Sequence, residues 1–134
     1  MKYREEKDSM GTVRVPAGAY YGSQTQRAVE NFPISDFRFQ AAFIHALALV
    51  KSCAAQVNQK LNLLDSDLAD AIVRASQEVM QGEHDGEFVV DILKTRSDTS
   101  TNINMNQVLA SRANEILTGQ TGGKSPVHRN DHVN

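Results

Sequence analysis

The chain has no tryptophan and a single cysteine, Cys53. One cysteine cannot form an intrachain disulfide, and a reducing compartment is the simplest setting for it. Met1 to Met10 is charged and lacks the apolar segment of a secretory signal. Together these predict a cytoplasmic protein. Long hydrophobic runs are missing too. The longest apolar stretch, Ala41 to Val50, is broken by His45 and followed by Lys51, which is too short to span a bilayer. Nor does charge of one sign dominate. Fourteen basic and sixteen acidic residues leave a net charge of -2, so no bulk attraction for nucleic acid or an anionic membrane is expected. There is no internal repeat and no low-complexity tract. What remains is ordinary globular composition, 40% hydrophobic and 22% charged, enough for one domain in 134 residues.

Periodicity supplies the elements. Met1 to Ser9 is polar and reads as loose. Thr12 to Pro16 alternates and reads as a brief strand or extended arm, then a turn near Gly18. Ser23 is placed to cap a short helix that Pro33 ends. Phe39 to Leu61 carries the strongest helical signal: Phe43, Leu47, Val50, Ala54, Val57 and Leu61 recur at spacings of three and four. Cys53 falls beside that stripe and reads as packing; Lys51 lies off it. A second helix starts near Asp65 or Ser66, with Leu68, Ile72, Ala75 and Val79 on one side, and Gly82 stops it. His84 falls in a charged turn and reads as solvated. Phe88 to Leu93 is a strand or a helical turn. A third helix runs from about Thr101 to Leu117 and Gly119 ends it. The fold class is mainly α, a small helical domain with a short extended N-terminal arm.

Chemistry concentrates in two places. Hydroxyl and amide side chains crowd Thr95 to Asn106 and lead into the third helix. A helix start with unpaired N–H groups suits an anion, and without a Gly-rich cradle and Lys a small carboxylate fits better than a polyphosphate. Asn102, Asn104 and Asn106 are poor mid-helix residues, so at least one should bond a loop or ligand. The second place is Pro126 to Asn134. His128 and His132, four apart, could ligate a metal, but a third ligand is missing and Pro126 flanks them.

Three stretches together carry a family likeness: Met10 to Pro16 with Ala19 to Phe32, Thr95 to Asn106, and Val127 to Asn134. They resemble class II fumarate hydratase, of the fumarase/aspartase superfamily, in order and over nearly the whole chain. The family adds water reversibly across fumarate to give malate, without a metal or organic cofactor. That chemistry places charge on a carboxyl group and needs fixed donors, a base and an acid. The resemblance implies a substrate-binding set of Ser97, Asp98, Thr99 and Asn102, with Ser97 and Thr99 on the carboxylate. It implies a second dicarboxylate site at His128, Arg129, Asn130 and Asp131. The partners implied are a small dicarboxylate and copies of the chain, as a tetramer in the full-length family. The family's catalytic segments and central helices would lie beyond Asn134. The expectation is therefore an N-terminal lyase domain over 1–134, part of a longer chain, with no catalytic residue and no activity by itself.

Aspartate ammonia-lyase is the nearest rival, and Ser97 and His128 favour fumarase over it. A non-catalytic helical oligomerisation domain is the other alternative, because the family pattern is broken in places. Arg96 and Asp98 stand where it has glycines, Arg129 where it has proline, and Asp36 and Gln40 where it has Gly and Pro. Asp98 would set a negative charge beside a dianion, at a cost of about 4 kcal/mol at 4 Å and an effective dielectric near 20. These changes are expected to weaken the dicarboxylate site. Apolar stripes on three helices also predict self-association.

Overall fold

The computed structural model describes residues 1–92, 99–121 and 123–134. Strands β1 (Tyr3–Asp8) and β2 (Gly11–Pro16) form an antiparallel hairpin, with Tyr3 opposite Pro16 and Asp8 opposite Gly11. At the turn Gly11 takes φ +115°, a value other residues rarely adopt. The first nine residues are therefore not loose. Their inward side is polar, so no hydrophobic alternation marks them. Arg4 fastens the strand by donating to the carbonyls of Pro16, Ala17, Ala19 and Tyr21 at 2.7–3.1 Å. On β2 the alternation is conventional, and Val13 and Val15 pack with Ala19 in a small cluster.

Helix α1 (Ser23–Asn31) begins one residue earlier than expected, with Gly22 at its N-cap. Its cap is supplied from a distant helix. Gln107 Oε1 accepts the N–H groups of Gly22 at 2.8 Å and Thr25 at 3.1 Å. Gly22 is closely surrounded: a Cβ there would lie 2.9 Å from Glu6 Oε1 and 3.1 Å from Gln107 Cδ, so those side chains would have to shift. Gln107→Ala removes the acceptor for both N–H groups and should cost about 1–2 kcal/mol, read by urea unfolding. A cost below the measurement error would show that water caps α1 equally well.

Helices α2 (Ala41–Lys60) and α3 (Ser66–Met80) pair side by side, and α3 also packs on α4 (Thr99–Thr118). The contact faces carry Ala48, Ala55, Ala69, Ala71 and Ala75, small residues that let backbones approach. Ile72, Val79, Met105, Val108 and Leu109 fill the centre. The α3 stripe matches its sequence periodicity, although Leu68 is only half-buried. Gly82 and Gly119 follow their helices with φ +84° and +78°, the left-handed geometry of a C-terminal stop.

On α2 most of the sequence stripe faces the other way, although Leu47 packs against the core. Phe43 is 46% exposed, Val50 61%, Val57 53% and Leu61 61%. The face turned to the core is Ile44, Ala48, Lys51, Ser52 and Ala55. Cys53 is exposed rather than packed. Lys51 is buried, and desolvation lowers its pKa. The helix is long and apolar enough to cross a bilayer by length and composition, but its inner face rests on α3.

Phe88 to Ile92 is neither strand nor helix. A 3-10 turn (Asp85–Glu87) leads into an extended segment with Phe88, Val90 and Asp91 buried. Ser35 holds it by donating its N–H and hydroxyl to Asp91, and Ile92 N–H donates to Phe37 C=O at 3.2 Å. Of the two unexpected residues near this stretch, Gln40 caps α2 with φ -64°, the angle a proline would fix. Asp36 is not among the described residues of positive φ, so it needs no glycine.

Candidate functional site

The site is built on one side of α4. Asn102, Asn106 and Asn114 are four and eight residues apart, so their side chains rise from one face. Along that face runs the C-terminal segment, ending in a π-helical turn (Arg129–Val133). Asn102 Nδ2 and Asn106 Nδ2 both donate to Asn134 Oδ1, at 3.0 and 3.1 Å. Asn114 makes the tighter join. Its Nδ2 donates to Val127 C=O at 3.0 Å and its Oδ1 accepts Val127 N–H at 2.7 Å. Asn104 points elsewhere and donates to Glu87 C=O at 3.0 Å. Poor helix formers are thus kept because each fastens a loop.

The predicted site residues divide accordingly. Ser97 and Asp98, with Arg96, lie outside the described residues. Thr99 is the first residue of α4, and Asn102, one turn on, is joined to the C-terminal segment through Asn134. The turn itself gathers His128, Arg129, Asn130 and Asp131. His128 Nδ1 accepts Asn130 N–H at 3.2 Å and lies 3.4 Å from Asp131 Oδ2. His128 N–H donates to His132 Nδ1 at 2.8 Å. The Nδ1 atoms of both histidines are thereby committed to backbone donors, leaving only Nε2 on each for a ligand. Asn130 and Asp131 are exposed. Arg129 is buried, and its Nε has no acceptor.

A polar cluster that the sequence did not signal lies between α3 and α4. Arg112 spans both oxygens of Glu78, with Nε to Oε2 at 2.7 Å and Nη2 to Oε1 at 2.8 Å, and also bonds Glu115. Tyr20 hydroxyl donates to Glu115 Oε1 at 2.8 Å, and Thr121 donates to the other oxygen. His84 is not solvated: it lies 3.3 Å from Glu78 Oε2 and meets the Tyr20 ring edge-on at 5.1 Å. The bond from Arg112 holds the Glu78 carboxyl below its ordinary value, and burial pushes the Tyr20 hydroxyl up. Glu78, Glu83 and His84 could each offer a metal-ligand atom within 4.8 Å of the others, but Arg112 already takes both Glu78 oxygens. Arg27 grips Asp8 with two bonds of 2.9 and 3.1 Å and lowers its pKa.

The whole is a helical scaffold in which an asparagine-lined helix clasps a histidine turn. The lyase family model matches residues 11–134, and the chain belongs to that family. Its relatives narrow the likeness. It is 57% identical to the class II fumarate hydratase of Nitrosomonas europaea, over 99% of this chain and 29% of that protein. It is 55% identical to the class II fumarate hydratase of Halobacterium salinarum, over 98% of this chain and 28% of that protein. The crystal structure of class II fumarase from Schistosoma mansoni superposes with a TM-score of 0.95 at 43% identity, covering 99% of this chain and 28% of that one. The fumarate lyase:delta crystallin of Brucella melitensis superposes at 0.94. The fold is thus mainly α with an extended N-terminal arm, as found in class II fumarases. The chain spans less than a third of the length of the relatives it matches.

Proposed function

We propose that this chain is the N-terminal domain of a class II fumarate hydratase and contributes dicarboxylate-binding segments to the reversible hydration of fumarate to malate. The observation that carries this reading is the 57% identity to a class II fumarate hydratase over 99% of the chain. Ser97 and Thr99 hold one substrate carboxylate, and Asp98 and Asn102 belong to the same binding set. His128, Arg129, Asn130 and Asp131 form the second dicarboxylate site, which the asparagine clasp keeps against the same helix. Asn102 links the two, since it belongs to the first set and bonds Asn134 at the end of the second segment. Proton transfer and the full oxyanion environment come from segments this chain does not contain, and the working enzyme is a cytoplasmic homotetramer of the tricarboxylic acid cycle. The outward apolar face of α2 fits a chain that associates.

The test uses this chain joined to the remaining length of the Nitrosomonas europaea relative. Ser97→Ala and Thr99→Val should each lower kcat/KM for fumarate roughly 100-fold, the scale for losing a donor aimed at developing charge. Unchanged kcat/KM in both variants would remove these residues from the substrate site.

A further inference from the structure

Helix α2 turns Ile44, Ala48, Ser52 and Ala55 to the core and leaves its opposite side open. On that side Phe43, Ala46, Val50, Cys53, Val57 and Lys60 follow one another at alternating spacings of three and four, and all six are exposed. A repeat of 3.5 residues is the seam along which one helix receives another. Ala42 and Leu49 widen the seam on one flank, Ala54 and Leu61 on the other. Lys60 is its only charged residue, and α2 contains no aspartate or glutamate. His45 is drawn off to Asp85 at 3.1 Å, and Lys51 is buried on the other face. Twenty helical residues extend about 30 Å, and an ordered apolar strip of that length marks an association surface rather than scattered exposure.

We propose that this face joins two copies of the chain, their α2 helices antiparallel about a two-fold axis level with Lys51 and Ser52. The order of large and small side chains singles out that arrangement. With the axis there, Val50 of one copy meets Cys53 of the other, Ala46 meets Val57, and Phe43 meets Lys60. Symmetry repeats each pair. Every layer sets a larger side chain against a smaller or more flexible one, as close packing without voids requires. The Lys60 stem lies along the Phe43 ring, with the ammonium over its face or out in water. The parallel arrangement instead sets Ala46 on Ala46 and Cys53 on Cys53, leaving gaps, and Lys60 on Lys60, with like charges together. It also aligns the two helix dipoles in the same sense. A closed two-fold contact needs a surface that complements itself, and this one does so when reversed. One helix pair buries less than the roughly 800 Å² per partner of a standard interface, so the dimer should dissociate in the micromolar range. The inference rests on the α2 surface and not on the hydratase reading, so turnover of the joined protein and association of this chain fail independently.

Sedimentation equilibrium of the 134-residue chain under reducing conditions should show a monomer–dimer equilibrium. Val50→Asp buries a carboxylate in two central layers and should weaken the dimer roughly 100-fold. Val50 is 61% exposed in the single copy, so this variant should keep the circular dichroism of the parent. Orientation is read by disulfide trapping. Two variants in a Cys53→Ala background carry Ala46→Cys or Val57→Cys. Mixed and oxidised with copper–phenanthroline, they should give mainly the mixed disulfide, because antiparallel helices bring positions 46 and 57 into one layer. Parallel helices hold those positions about 16 Å apart, beyond disulfide reach. Products joining like positions only would overturn the antiparallel arrangement. A monomer at every concentration, or a dimer indifferent to Val50→Asp, would overturn the surface. A chain that stays monomeric in water but floats with phosphatidylcholine vesicles would overturn it in favour of a lipid partner.

Discussion

Asn114→Ala is expected to lower the unfolding free energy by about 3 kcal/mol, roughly 10 °C in melting temperature for a domain of this size. Asn114 is 1% exposed and Val127 is fully buried, so no solvent replaces the two bonds between them. Removing the amide orphans one peptide N–H and one C=O together, and each buried unpaired group costs its own desolvation. The damage is local as well as global. Val127 immediately precedes His128, so its release should loosen the whole turn. Hydrogen exchange at 128–134 should rise before exchange at Ile72 or Leu109. Asn114→Asp is the informative companion. Its carboxylate can still accept from Val127 N–H but cannot donate to the carbonyl, and it should recover part of the loss near neutral pH. A change below about 1 kcal/mol in Asn114→Ala would show that the clasp adds little to the fold.

Arg112→Met is the second large effect, expected at about 2 kcal/mol at neutral pH. The guanidinium is only 21% exposed, and its removal leaves Glu78 and Glu115 without their shared cation. The pH dependence gives this prediction its sign. Glu78 is held below the ordinary 4.5, chiefly by the Arg112 bond and also by His84. Glu115 is held down first by Thr121, then by Tyr20 and Arg112. Groups depressed in the folded state stabilise it fully above their unfolded pKa, and that stability drains away as pH falls through the folded values. The parent should lose stability steadily below about pH 4.5, whereas Arg112→Met should start lower and fall less steeply. Parallel curves for the two proteins would mean that Arg112 does not set those ionisations.

These two clusters differ in how far they could be read in advance. The asparagine clasp left a trace, because Asn102, Asn104 and Asn106 sit badly inside a helix and announce bonds to something else. The α3 stripe and the glycine stops after α3 and α4 were equally plain, since local geometry dictates them. The remaining candidate site residues rest on the family motifs alone. What failed to show has a common cause. Periodicity identifies residues that share a face, not the face that meets the core. On α2 the larger side chains Phe43, Val50 and Val57 point outward, and the core takes alanines, Ser52 and Lys51. Polar anchoring is silent in the same way. β1 is fixed by Arg4 reaching four carbonyls, and His84 is drawn in by Glu78 and Tyr20, so neither leaves a hydrophobic pattern. Cys53 was misplaced with the stripe it belongs to.

The most direct measurement of the central claim is loss of fumarate absorbance, with this chain alone and with the chain joined to the remaining length of the Nitrosomonas europaea relative. Turnover in the joined protein and none in the chain alone is the predicted result. A joined protein that folds and assembles as a tetramer yet leaves fumarate untouched would contradict it. Recovery of turnover on changing Arg96 and Asp98 to glycine would then locate the fault in the first binding segment.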